Sequence, residues 1–187
     1  MPGRILALPA THTAVIQHEA GETKVTHGLP LPSLDACHIL VKTMAVALNP
    51  CDFKMPARFP TPGCYNGCDF SGVVVALGSE VAQNGAFKIG DRVFAAVNGN
   101  NPRDKDSGSY AEYLKSEWVF TWKMPDWMSF EEAAGLSGTI IATNGVSLFK
   151  SLGLPGTFEE PAKKPADVLV YGGSSSVGTM AIQMIKL

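Results

Sequence analysis

Along the first 125 residues of this 187-residue chain, short apolar runs alternate with turn residues at close spacing. Residues 38–46, 72–77, 92–97 and 111–114 are rich in Val, Ile and Ala and are bounded by Gly, Pro or Asn, the pattern of short strands. Gly90-Asp91 supplies a tight turn directly before one of these runs. Residues 98–108 hold three Asn, two Gly, one Pro and four charged side chains, which predicts a surface loop. The expectation for residues 1–125 is an all-β region.

The pattern changes near Pro125. Ser129-Phe130-Glu131-Glu132 predicts a helix start, with Ser129 capping a backbone N–H and Glu132 at the reciprocal position. The mostly apolar stretch 133–152 is interrupted by Gly135, Gly138 and Gly145, which predicts two short helices. Residues 154–166 carry three Pro and a Lys163-Lys164 pair and read as a linker. Asp167-Val168-Leu169-Val170-Tyr171 then predicts a short buried strand, followed by the turn Gly172-Gly173-Ser174-Ser175-Ser176-Val177-Gly178. Val177, Met180, Ala181, Met184 and Ile185 recur at helical spacing and predict a helix with one apolar face. Strand, glycine/serine turn and helix open a dinucleotide-binding unit.

Composition narrows the function classes. With 45% hydrophobic and 17% charged residues, 19 Gly and 13 Pro, the chain reads as a globular protein rich in turns. A net charge of −2, without a run of basic residues, argues against nucleic-acid or anionic-membrane partners. No run of 18 apolar residues predicts a membrane span, and residues 1–15 do not read as a signal peptide. Cys37, Cys51, Cys64 and Cys68 are then expected as free thiols in a reducing, cytoplasmic compartment. The histidines, all within the first 40 residues, are expected at the surface or in turns. Asp52 and Asp69 are candidate acid/base groups, and each reads equally as an acceptor of local backbone bonds. Phe53, Phe59, Tyr65, Phe70 and Tyr110 fit an apolar substrate groove and ordinary core packing equally well.

Six blocks occur in one order: Asn49-Pro50-Cys51-Asp52-Phe53-Lys54, Gly67-Cys68-Asp69-Phe70-Ser71-Gly72, Gly90-Asp91-Arg92-Val93, Gly108-Ser109-Tyr110-Ala111-Glu112-Tyr113, residues 125–134, and the 172–178 turn. Together they resemble the medium-chain dehydrogenase/reductase superfamily. The Asn-Pro pair and the serine-rich turn are most similar to the zinc-free fungal trans-acting enoyl reductases that partner iterative polyketide synthases. The resemblance implies a mainly β fold with α. A GroES-like β-barrel catalytic domain would occupy 1–125, and a truncated Rossmann-like α/β segment, helices plus a first βα unit, would occupy 126–187. It implies NADPH-dependent reduction of an α,β-unsaturated polyketide thioester.

The resemblance also assigns residues. In zinc-dependent relatives the first two ligand positions correspond to Asn49 and Cys68, and Asn is a poor zinc ligand. No Cys lies between Val93 and Tyr110, where a structural zinc lobe would sit, so no metal is expected. Lys54 and Thr139 match positions lining the nicotinamide pocket. From its surroundings alone Lys54 reads equally as a solvated cation at a loop end. Thr139 reads rather as a hydroxyl bonded back onto its own helix. Asn49-Pro50 reads as a loop determinant, because Pro fixes φ and restricts the residue before it. Gly172, Gly173, Ser174, Ser175, Ser176 and Val177 would meet the cofactor pyrophosphate, the serine hydroxyls donating where many relatives carry glycine.

Length complicates this picture. A complete relative is expected to carry about one further domain, so most NADPH contacts are expected to be missing from residues 126–187. Two readings follow from different classes. One is the reductase itself. The other is a shortened, redox-inactive relative that binds a polyketide intermediate and promotes a cyclisation, isomerisation or hydrolysis by positioning, or that serves only as a docking module or is a remnant. The apolar face of the last helix needs cover worth on the order of 10 kcal/mol, which predicts a homodimer through residues 129–187.

Overall fold

The apolar runs of the first 125 residues become antiparallel sheet. The structure, a computed structural model, describes residues 8–19, 22–157, 159–164 and 166–186. Strands β1 (Thr11–Gln17) and β2 (Thr23–Pro30) form a hairpin. Strands β3 (His38–Val46), β4 (Asp69–Leu77), β5 (Arg92–Ala96), β6 (Tyr113–Glu117) and β7 (Thr121–Lys123) form a second sheet in the order β6-β3-β4-β5-β7. The run expected at 111–114 enters this sheet only from Tyr113. Ala111 and Glu112 are drawn to β1 instead: Ala111 bridges Ala14, and the Glu112 N–H donates to the Thr13 carbonyl at 2.9 Å. Register shifts in β3 between Leu40 and Val41 and between Thr43 and Ala45 curl the sheet, as bulges do.

One face of β5 points Val93 and Ala95 into a core with Ile39, Val41, Phe70, Val74 and Leu114. Phe70, Ile39 and Leu114 have no solvent exposure, and each contributes about 1.5–3 kcal/mol by burial. Helix α1 (Pro50–Arg58) links β3 to β4, and helix α2 (Ser79–Asn84) seals one end of the core with Val81. The opposite face of β5 presents Phe94 to Met124, Met128 and Ala133, as the alternation of strand side chains requires.

By packing the chain divides into Met1–Ser137 and Gly138–Leu187. The division expected at 125/126 therefore moves to the far end of helix α3 (Phe130–Leu136). That helix starts as its sequence dictates. The Ser129 hydroxyl accepts from the Glu132 N–H at 3.1 Å, and Glu132 accepts from the Ser129 N–H at 2.9 Å. It stays with the first unit because Ala133 is buried on Met124 and Met128, while the Ser71 hydroxyl donates to the Phe130 carbonyl at 2.6 Å.

The second unit holds helix α4 (Gly138–Asn144), a π-helical turn (Gly145–Ser151) and helix α5 (Ser176–Lys186). The buried strand expected at 167–171 does not form. Leu169 is 93% exposed and Tyr171 fully so, because a lone strand has no neighbour for its N–H and C=O groups. The apolar face expected on the last helix is accordingly only partly covered. Ala181 is buried, Val177 is exposed, and Met184 and Ile185 line a hollow of about 340 Å³ with Phe149, Leu154 and Val168. No helix among the described residues is long and apolar enough to cross a membrane.

Candidate functional site

Asn49 connects the two candidate carboxylates. As the residue preceding α1 it has extended backbone, and Pro50 follows at the first helical position, where its missing N–H costs nothing. The Asn49 N–H donates to Asp52 Oδ2 at 2.7 Å, while its side-chain amide donates to Asp69 Oδ2 at 2.8 Å. Asn49-Pro50 is thus the start of a helix and not a loop, and Asn49 also ties α1 to β4. Asp52 and Asp69 are 7% and 1% exposed. The Tyr110 hydroxyl adds a second bond to Asp52 Oδ2 at 2.6 Å. Asp52 Oδ2 is therefore held by two donors and positions its neighbours.

Pro56 lies inside α1 and removes the N–H that would reach the carbonyl four residues back, that of Asp52. The Asn66 side-chain amide fills that role at 2.8 Å, and its oxygen accepts from the Gly67 N–H at 2.9 Å. Gly67 has φ +87°, and a Cβ there would collide with the Tyr110 ring and the Ser109 hydroxyl. The backbone of 66–67 and the Tyr110 ring are therefore fitted to one another around Asp52.

Cys51 and Cys68 share this corner. Their sulfurs and a carboxylate oxygen of Asp52 lie within 4.8 Å of one another. Burial, then the Asp52 charge, pushes the Cys51 thiol up; burial, then Cys51 and Asp52, pushes Cys68 well above the usual thiol range. Burial and the bond to Asp52 raise the Tyr110 phenol in the same way. Two thiols and a carboxylate are donors of the kind that bind soft cations, and the raised pKa of both Cys51 and Cys68 favours the thiols over the thiolates here. A shallow groove of about 560 Å³, walled by Val25, Val46 and Ala111, adjoins a hollow of about 280 Å³ reaching Asn49, Asp52 and Phe53. Val15, Leu48 and Tyr110 line both.

The other expected site residues distribute between the units. Lys54 is exposed on α1, its ammonium 5.8 Å from the centre of the Phe53 ring. Thr139 is half-buried in the first turn of α4. Its carbonyl accepts from the Thr143 hydroxyl at 2.6 Å, a back-bond made one turn further along the helix.

In the second unit, Gly172 adopts φ +84° and the turn closes by a Ser175 N–H bond to the Gly172 carbonyl at 2.9 Å. The Ser175 hydroxyl accepts from the Gly178 N–H at 3.1 Å and so caps α5. Gly178 has no room for a side chain, because its Cβ would strike the Gly172 carbonyl. Ser174, Ser175 and Ser176 are exposed. The N–H groups of Ser176 and Val177 are those an α-helix leaves without an internal acceptor. An exposed turn with free first-turn donors fits a pyrophosphate, although Ser175 already occupies one donor. Asn144, which the sequence reading missed, donates to the Ile140 and Val177 carbonyls at 3.0 and 3.2 Å and fixes α4 against the start of α5.

Sequence reasoning also missed Asn66 and the role of Tyr110. The one local signal was Pro56, four residues after Asp52, which announces a carbonyl in need of a donor. One histidine departs from expectation: His12 is buried and bonds the Tyr65 hydroxyl at 3.0 Å.

Residues 35–126 match the alcohol dehydrogenase GroES-like domain. The chain is 68% identical to the trans-enoyl reductase RAP1 of Pyricularia oryzae over 96% of its own length and 50% of that protein. It is 64% identical to the enoyl reductase cheB of Chaetomium globosum, over 96% of this chain and 48% of that one. Among solved structures, a mycobacterial protein complexed with NADPH superposes with a TM-score of 0.70 and 27% identity, covering 92% of this chain and 49% of its own. The chain spans about half the length of these relatives.

Proposed function

Because this chain is a medium-chain dehydrogenase/reductase relative of the fungal trans-enoyl reductases, with their GroES-like domain, we propose that it serves NADPH-dependent reduction of an α,β-unsaturated polyketide thioester. It would act in trans, beside an iterative polyketide synthase, in the cytoplasm and without a metal. The observation that carries this reading is 68% identity to a trans-enoyl reductase across 96% of the chain.

The chain's own residues take definite parts. The Gly172-Gly173-Ser174-Ser175-Ser176-Val177 turn receives the pyrophosphate on the first-turn N–H groups of α5 and on exposed serine hydroxyls. NADPH, when bound, supplies the hydride for the β-carbon of the enoyl thioester. In the first unit the Lys54 ammonium is the group offered to the cofactor ribose, and in the second the Thr139 hydroxyl is the one offered to the nicotinamide end. The apolar groove past Val15, Leu48 and Tyr110 accepts the hydrocarbon part of the intermediate. Asp52, Asp69 and Asn49 keep the start of α1, and so Lys54, in place. Asn49 uses its amide on Asp69, which supports a site that works without a metal. Two copies associate through 129–187, a reading supported by the exposed Leu169 and Tyr171.

Calorimetric titration of the chain with NADPH tests this. Binding in the micromolar range, weakened at least tenfold by Lys54→Met or by Ser176→Pro, is the expected result. No heat at millimolar cofactor would leave the redox-neutral readings.

A further inference from the structure

Two of the four cysteines stand apart from the others. Cys64 is 1% exposed and its thiol donates to the Asn101 carbonyl at 3.3 Å. Cys37 lies beside His38 Nδ1 at 3.4 Å. Cys51 and Cys68 are both partly exposed, and their sulfurs lie within 4.8 Å of one another. The reductase reading gives neither of them a task. We propose that Cys51 and Cys68 form an oxidation site, closing to an intramolecular disulfide when a hydroperoxide reaches them.

The geometry favours closure. A disulfide needs the sulfurs at about 2.05 Å, so they must approach by less than about 3 Å from the separation observed. Cys51 occupies the first turn of α1, and Cys68 directly precedes β4. The Asn49–Asp69 bond already holds these two segments together, so a side-chain rotation at Cys51 supplies most of the movement. No cysteine other than these two shares the corner, which makes the pairing selective.

The chemistry balances. As a thiolate, the Cys51 sulfur attacks a peroxide oxygen; the O–O bond breaks, the sulfur becomes a sulfenic acid, and the leaving oxygen takes up the proton that Cys51 released, departing as water from hydrogen peroxide or as an alcohol from an organic hydroperoxide. The Cys68 sulfur then attacks the sulfenic sulfur, the S–O bond breaks, and water leaves. Two thiols lose two electrons and the peroxide is reduced. Burial and the nearby Asp52 carboxylate keep both thiols protonated at neutral pH, so closure quickens as pH rises. The bond would tie β4 to the helix that carries Lys54.

The wild-type folded chain tests this directly. It is treated with hydrogen peroxide at mildly alkaline pH, its remaining thiols are alkylated without reduction, and its peptides are mapped by mass spectrometry. Expected are the loss of two alkylable thiols and of two hydrogen masses, a linked peptide joining Cys51 to Cys68, and full recovery with dithiothreitol. In Cys68→Ser a dimedone-reactive sulfenic acid should accumulate at Cys51 in place of the linked peptide. Alkylation of Cys51 and Cys68 as complete as that of Cys37 would overturn the proposal. So would linkage to Cys37 or Cys64, or between chains.

Discussion

The hydroxyl of Tyr110 donates to Asp52 Oδ2 at 2.6 Å across 58 residues of sequence, joining the loop before β6 to the first turn of α1. A neutral donor on a nearly buried carboxylate makes a strong bond, and removing it costs about 1.5–3 kcal/mol. Tyr110→Phe keeps the ring that fills the space above Gly67 and deletes only the donor. The urea midpoint should fall accordingly with the slope unchanged. An unaltered midpoint would mean that water replaces the hydroxyl without loss.

The same bond has an alkaline signature. Burial and Asp52 raise the Tyr110 phenol, and burial with the Asp106 charge pushes Tyr65 up to about 12. Both folded values lie above that of an unfolded tyrosine, so above about pH 10 the unfolded chain releases protons that the folded chain retains. Stability contributed by these phenols is complete below about pH 10 and declines as pH rises beyond it. Phenolate absorbance of the folded protein should show these two groups titrating late. Tyr65→Phe and Tyr110→Phe should each remove one late step.

Pro56 and Asn66 should be energetically coupled. Pro56 denies the Asp52 carbonyl its helical donor, and Asn66 supplies one at 2.8 Å. Asn66→Ala should destabilise the protein by about 1–3 kcal/mol, the cost of a buried acceptor left without a partner. In a Pro56→Ala background the substituted alanine brings an N–H that can reach that carbonyl, so the loss should shrink by at least ~0.5 kcal/mol. A double-mutant cycle in urea gives the coupling directly. Strict additivity would show that the two substitutions act through unrelated contacts.

These relationships mark where sequence reading succeeds and where it stops. The strands around residues 38–46 and 92–97 were visible because alternation and turn residues are local. The start of α3 was visible because Ser129 and Glu132 lie within one turn. Asp52 and Asp69 could be singled out as carboxylates, but their link through Asn49 depends on where β4 meets α1, which no local pattern encodes. The run 167–171 shows the reverse failure. Its composition is that of a buried strand, yet a strand is a property of a pair, and no described residue pairs with it.

That unpaired run predicts self-association. Leu169 and Tyr171 are almost wholly exposed on a segment without regular structure. Light scattering at micromolar concentration should give the mass of a dimer. Leu169→Glu with Tyr171→Glu should shift it to the mass of one chain. A wild-type chain already at that mass would end this reading.

Lys115 is the hinge of the acid response. Its side chain is 6% exposed, and its ammonium lies 2.8 Å from Asp104 and 2.7 Å from Asp106, pinning the 98–108 loop to β6. Burial alone would raise the Asp106 carboxyl, but the Lys115 ammonium, helped by the Ser33 N–H that donates to it, holds it below the ordinary aspartate value. A depressed carboxylate contributes stability that is present above the unfolded value of about 3.9 and is lost as pH falls through the folded one. Asp106→Asn should therefore flatten the acid limb of the stability curve while lowering stability at neutral pH. Lys115→Met should do more, costing about 1–3 kcal/mol, because it removes both charge-assisted bonds and leaves two acids facing each other without their cation. Urea midpoints between pH 3 and 7 distinguish the two cases. Equal acid limbs in wild type and Asp106→Asn would show that the ion pair exerts no hold on the loop in solution.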